Sequence, residues 1–216
     1  NTFKSSPYIK STGNPVRNDV LNVDITKSRL QTNAGRESSL HILILGGSQG
    51  ARALNEIIPD TLATLPKDVC LEVRHQAGAK LFNETKTRYQ TLNVKAKVEP
   101  FIDDMGEAYG WADIVICRAG AMTISELAAA GVASILVPFP FAVDDHQTAN
   151  ARYLSDHGGA ILFPQSQLTK EKLAELLCEF YRSRSRILEM AEKARALAKP
   201  EATQQVSELC MEAAYA

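Results

Sequence analysis

One ten-residue stretch, Cys117-Arg-Ala-Gly-Ala-Met-Thr-Ile-Ser-Glu126, joins a glycine turn to two hydroxyls and a carboxylate. Before it, Ala112-Asp-Ile-Val-Ile116 has the apolar character of a buried parallel strand. After it, Leu127-Ala-Ala-Ala130 continues a helix that Gly131 stops. A chain that leaves a strand, turns through Ala119-Gly120-Ala121 and enters a helix presents unpaired backbone N–H groups and partial positive charge. The chemistry expected there is capture of an anionic or polar ligand at the helix start, with Thr123 and Ser125 in the first turn. A second turn, Gly46-Gly-Ser-Gln-Gly50, follows the apolar run His41-Ile-Leu-Ile-Leu45. Two such turns at the carboxyl ends of neighbouring parallel strands wall a single crevice, the usual ligand position in open α/β sheets.

Each of these features has a plainer reading. Thr123-Ile-Ser-Glu126 matches the capping box, in which Thr123 and Glu126 satisfy each other's backbone N–H groups. As a ligand group, Glu126 instead accepts hydrogen bonds from two vicinal ribose hydroxyls. The pattern Gly-Gly-x-x-Gly is neither the G-x-G-x-x-G of dinucleotide folds nor a P-loop, which needs a Lys. The second strand ends Val73-Arg74-His75, without the acid that holds a nicotinamide ribose, although an Arg there suits a 2′-phosphate. The pairs Asp103-Asp104 and Asp144-Asp145 suggest helix caps more than metal ligands, because adjacent side chains diverge. His146 and Gln147 open a helix, and Gln147 carries both donor and acceptor for sugar hydroxyls. Arg17 is either a solvated linker charge or a ligand group. Tyr109 and Trp111 read as packing residues.

The elements that position these residues follow from periodicity. Strands are expected at 40–45, 70–74, 94–98, 113–117, 133–137 and 159–163, alternating with helices at 51–65, 80–92, 122–130 and 144–156. Pro59 should kink the first of these helices. Amphipathic helices over 168–181 and 183–198 precede a last one ending near Ala214. The implied fold is a doubly wound, Rossmann-like parallel sheet with extra C-terminal helices. Residues 1–37 read as a linker with the trailing edge of a preceding domain, and residues 38–216 as one α/β domain.

Composition limits the function. The 216 residues carry a net charge of −1, with 45% hydrophobic and 23% charged content. That is an ordinary globular balance, and it argues against a general electrostatic nucleic-acid binder. Cys70, Cys117, Cys178 and Cys210 form no C-x-x-C pair, so they are expected to be buried thiols in a reducing compartment and no zinc site. No apolar run approaches the roughly 20 residues of a membrane-spanning helix. The chain begins at Asn1 without Met and without a signal peptide, which suggests a fragment or a processed product.

With these residues in view, the chain from about residue 12 onward resembles the C-terminal half of the MurG family. These are the bacterial UDP-N-acetylglucosamine transferases that act on undecaprenyl-pyrophosphoryl-muramyl-pentapeptide. The resemblance rests on Gly13-Asn-Pro-Val-Arg17, Gly46-Gly-Ser-Gln-Gly-Ala51, Phe101-Ile-Asp-Asp-Met105, Cys117 to Glu126, and Val137-Pro-Phe with Asp145-His-Gln147 and Asn150. It implies half of a GT-B fold, binding the donor sugar nucleotide. By position, the Ile102 backbone would recognise uracil and Glu126 the ribose hydroxyls. Ser48, Arg17 and the helix start at Ala121, Met122 and Thr123 would face the pyrophosphate. Ile124 and Ser125 complete the substrate-binding stretch, and Gln147 would contact the GlcNAc hydroxyls. The reaction implied is an inverting displacement by the muramyl 4-hydroxyl with UDP leaving, and it needs no metal or cofactor. The acceptor site, the general base and the surface that meets the cytoplasmic face of the inner membrane would belong to the family's N-terminal domain. A UDP-GlcNAc 2-epimerase resembles the same architecture. The residues by themselves also leave open a dinucleotide-dependent oxidoreductase and a non-catalytic interaction module.

Overall fold

The structure is a computed structural model that describes residues 10–23, 39–47 and 50–215. Ser48 and Gln49 of the first glycine turn, and most of the segment preceding the first strand, lie outside the described residues.

Six parallel strands form one sheet: β1 (Leu40–Leu45), β2 (Leu71–Gln76), β3 (Lys97–Glu99), β4 (Ile114–Cys117), β5 (Ala133–Leu136) and β6 (Ala160–Leu162). Their spatial order is β3-β2-β1-β4-β5-β6. The chain therefore builds outward from β1 in one direction, then returns to its other side and builds outward again. Central parallel strands are covered on both faces, which is why β4 reads Ile-Val-Ile-Cys with all four residues buried. Alternation sorts the side chains between two cores. Ile42, Ile44, Ile114, Ile116 and Ile135 pack on one face with Leu173, Leu177 and Phe180. Leu43, Val115 and Leu136 pack on the other with Val20, Tyr109, Ile124 and Leu127.

Among the described residues the helices are α1 (Asn18–Leu21), α2 (Arg52–Ala63), α3 (Phe82–Thr91), α4 (Met105–Trp111), α5 (Ala121–Ala130), α6 (His146–Ser155), α7 (Lys170–Arg182), α8 (Arg184–Ala196) and α9 (Ala202–Tyr215). Gly131 ends α5 in the left-handed conformation that closes helices. Of the residues in α9, only Ala202 is buried.

Several boundaries differ from the periodicity reading for identifiable reasons. Helix α2 runs unbroken through Pro59, because Leu54 and Ile58 are buried against the sheet and hold the turn. Strand β2 extends to Gln76, since Arg74, His75 and Gln76 pair with β3. Strand β3 starts only at Lys97, because the chain after α3 is still turning: Asn93 has φ 52° and the Val94 N–H bonds Tyr89 O. The thiols are not uniformly buried: Cys117 is buried, whereas Cys70 and Cys210 are exposed.

Candidate functional site

Strand order reverses between β1 and β4, which are hydrogen-bonded neighbours with Leu45 opposite Cys117. The two glycine turns leave the carboxyl ends of these two strands and so lie side by side at the topological switch point, where open α/β sheets bind ligands. The first turn is held from below: the Gly46 N–H donates to Gln76 O at 3.0 Å. At its far end Gly50 has φ +77°, and a Cβ there would lie 2.4 Å from Ala77 O. A side chain at residue 50 is excluded, because the Gly50 backbone sits close to Ala77.

The backbone of the second turn rules out the capping box. Helix α5 has Gly120 as its N-cap, and its first intrahelical bond runs from the Ile124 N–H to Gly120 O at 3.0 Å. Thr123 is therefore the third residue inside the helix and cannot be the cap that a capping box requires. The N–H groups of Ala121, Met122 and Thr123 precede the first bond and have no intrahelical acceptor. Glu126 lies a full turn further on. Its Oε2 accepts a hydrogen bond from the Tyr109 hydroxyl at 2.9 Å, and Oε1 has no protein partner among the described residues.

Burial pushes the Tyr109 hydroxyl well above its usual range, and the Glu126 carboxylate raises it further. The hydroxyl thus remains a neutral donor. The Arg17 guanidinium acts in the opposite direction on the same group, so it stands within electrostatic reach of this pair. Arg17 also lies 3.9 Å from Asp19 and is half exposed. The Cys117 thiol is pushed up to about 12, first by burial and then by the Glu126 charge.

The remaining expected site residues fall into different situations. Ile102 is buried at 3% exposure, while Phe101 beside it is 55% exposed. Ile124 is buried with its N–H already bonded, so it contributes packing. The Ser125 hydroxyl donates to Ala121 O at 3.0 Å and accepts from Asn14 Nδ2 at 3.0 Å, which ties the segment around Asn14 to α5. Gln147 Oε1 accepts the Phe139 N–H at 2.9 Å and the Ala119 N–H at 3.3 Å. Its Nε2 has no protein partner among the described residues. Asp104 caps α4 by accepting the Glu107 N–H at 2.8 Å. Asp145 accepts from the Thr148 hydroxyl, and among the described residues no three His, Cys, Asp or Glu side chains converge.

Four residues have roles that sequence reasoning missed. Tyr109 is more than packing, but nothing in the spacing of residues 109 and 126 announces the pairing. Asn14 and Asn150 anchor the start of α5: Asn14 Nδ2 donates to Ala121 O at 3.4 Å, and Asn150 Nδ2 donates to Ala119 O at 3.1 Å. Arg118 clamps the segment after β5, donating to Val137 O, Pro138 O and Gln165 Oε1 and lying over the Phe139 ring. The expectation that Arg74 suits a 2′-phosphate does not hold. Its guanidinium bonds Glu107 at 2.6 Å, approaches Glu99 at 3.5 Å and lies over Trp111.

A parallel sheet with paired glycine turns at its switch point, followed by extra C-terminal helices, is the Rossmann-like half of a GT-B glycosyltransferase fold. The sequence model of the Glycosyltransferase family 28 C-terminal domain matches residues 41–206, and the chain belongs to that family. It is 51% identical over 213 residues to a UDP-N-acetylglucosamine--N-acetylmuramyl-(pentapeptide) pyrophosphoryl-undecaprenol N-acetylglucosamine transferase of Marinobacter nauticus, covering 99% of this chain and 58% of that protein. The transferase of the same name in Pseudomonas fluorescens is 49% identical, with 100% and 59% covered. The crystal structure of Acinetobacter baumannii MurG superposes with a TM-score of 0.82 at 43% identity, over 98% of this chain and 58% of that one. The chain thus spans somewhat under three-fifths of the length of these relatives.

Proposed function

We propose that this chain is the donor-nucleotide part of an inverting N-acetylglucosaminyltransferase of bacterial peptidoglycan synthesis. In this reading residues 38–216 form the UDP-sugar domain, and residues 1–37 lead into it from a further domain. The observation that carries the proposal is the release of Glu126 from any capping role. A carboxylate held by Tyr109 through one oxygen keeps the other for a ribose, one helical turn from three open backbone N–H groups.

The roles follow from that arrangement. The N–H groups of Ala121, Met122 and Thr123, with Arg17 and Ser48, receive the pyrophosphate, where the helix dipole favours negative charge. The Ile102 backbone, whose N–H and C=O have no protein partner among the described residues, reads the uracil edge. Gln147 keeps its amide N–H groups for the GlcNAc hydroxyls. Ile124 packs α5 into the core, and Ser125 ties α5 to Asn14. In the displacement the muramyl 4-hydroxyl attacks the anomeric carbon, and the bond from that carbon to the phosphate oxygen breaks. The hydroxyl proton goes to a base outside this chain, and UDP leaves with the electron pair. Charge growing on the β-phosphate is what Arg17 and the α5 start stabilise. No metal or other cofactor is needed for that step.

The acceptor is lipid-linked, so the enzyme works at the cytoplasmic face of the inner membrane. No helix among the described residues is long and apolar enough to cross a membrane. The net charge of −1 supports a partner other than nucleic acid.

The test is a product assay on a protein of the relatives' full length, supplied with UDP-GlcNAc and a lipid-linked muramyl-pentapeptide. The expected products are UDP and a β-linked disaccharide. Release of free N-acetylmannosamine without acceptor would overturn the proposal in favour of an epimerase.

A further inference from the structure

Tyr109 has no exposed surface, yet it carries a hydroxyl that must be satisfied. It meets that need by donating to Glu126 Oε2 at 2.9 Å. The phenol sits on α4, the carboxylate on α5, and Tyr109 belongs to the core that also holds Val20 of α1. Three separate elements therefore converge behind one carboxylate. A glutamate side chain has three torsions and, left alone at a helix surface, samples several of them. A hydrogen bond from a fully buried, rigid phenol removes that freedom and leaves Oε1 without a protein partner among the described residues. Burial keeps the phenol protonated, so the bond is present wherever the carboxylate is ionised.

We propose that Tyr109 is a positioning residue for the nucleotide's ribose: it fixes the rotamer of Glu126 so that Oε1 meets the vicinal hydroxyls without reordering. The proposal rests on the reading of Glu126 as the ribose ligand. The effect belongs to preorganisation, since Tyr109 itself touches no ligand.

The test is calorimetric binding of UDP and of 2′,3′-dideoxy-UDP to the full chain, to Tyr109→Phe, to Glu126→Gln and to the double variant. Phenylalanine keeps the ring in the core and removes only the hydroxyl. The expected result is that Tyr109→Phe weakens UDP binding roughly tenfold, the scale of one hydrogen bond to a charged group. Binding of 2′,3′-dideoxy-UDP, which lacks the hydroxyls Glu126 would hold, should not change. Adding Tyr109→Phe to Glu126→Gln should have a much smaller effect than in the parent. A merely structural phenol predicts the contrary: a lower Tm with equal losses for both nucleotides, or no loss for either, and each of those results overturns the positioning role. If the parent chain fails to distinguish UDP from 2′,3′-dideoxy-UDP, the ribose reading of Glu126 falls first and the positioning role falls with it.

Discussion

Gln147 Oε1 accepts the Phe139 N–H at 2.9 Å, so the residue proposed to read the sugar is also the tie between α6 and the segment that follows β5. The same oxygen holds the Ala119 N–H in the turn before α5. The proposed sugar contact and the loop geometry thus depend on one side chain. Replacing Gln147 by Leu should lower stability by about 1–2 kcal/mol, since two N–H groups lose their acceptor. It should also weaken UDP-GlcNAc binding more than UDP binding, measured by titration alongside urea denaturation. Equal losses for both ligands would rule out the sugar contact.

Glu126 and Thr123 separate the ligand role from the capping role. Glu126→Ala should weaken UDP binding by about 1–3 kcal/mol through lost charged hydrogen bonds. Thr123→Ala should change stability by no more than about 0.5 kcal/mol, because Gly120 is the cap and Thr123 is not. A Thr123→Ala variant that loses the full value of a cap would restore the capping box.

Gly47 and Gly50 both have positive φ, at +72° and +77°, but their surroundings differ. A Cβ on Gly47 meets nothing within 4 Å, whereas one on Gly50 meets Ala77 O at 2.4 Å. Gly47→Ala should then cost about 1–2 kcal/mol, the strain of the left-handed region alone. Gly50→Ala adds a backbone clash and should cost more than about 2 kcal/mol. Chemical denaturation of the two variants checks the order, and a reversed order would mean that the first turn is placed differently.

His75 supplies the pH dependence. It is buried between Tyr89, whose hydroxyl lies 2.9 Å from Nδ1, and Asn55, whose Oδ1 lies 3.0 Å from Nε2. Burial lowers its pKa to about 3 from the ordinary 6.5. The folded protein holds this imidazole neutral while the unfolded chain protonates near its ordinary value. Stability from this residue is therefore fully present above about pH 6.5 and declines as pH falls toward 3, by up to about 1.4 kcal/mol per unit. Denaturation at pH 7 and pH 5.5 should show a steeper decline in the parent than in His75→Gln. Parallel declines would show that the imidazole is not the source.

Much of the fold was legible because its signals are local. A buried parallel strand such as Ile114–Cys117 announces itself as an unbroken apolar run, and Gly131 marks where α5 must stop. The crevice was legible for the same reason, since each glycine turn follows its own strand. The ends of β2 and β3 were not, because they depend on which strands pair and on a helix still unwinding at Asn93. Nor was the state of Glu126 legible. Thr-x-x-Glu is the same string whether the helix begins at Gly120 or at Thr123, and only the backbone distinguishes them. Tyr109 was hidden for a further reason: its partner is 17 residues away on another helix, and a buried tyrosine looks in sequence like any other core aromatic.

The proposed UDP-sugar site lies at the carboxyl ends of β1 and β4. Isothermal titration of the 216-residue chain with UDP-GlcNAc, UDP, UDP-GalNAc and NADPH tests it most directly. Saturable binding of UDP-GlcNAc and UDP is expected, with weaker UDP-GalNAc and no NADPH. Binding of NADPH with indifference to UDP-GlcNAc would contradict the claim.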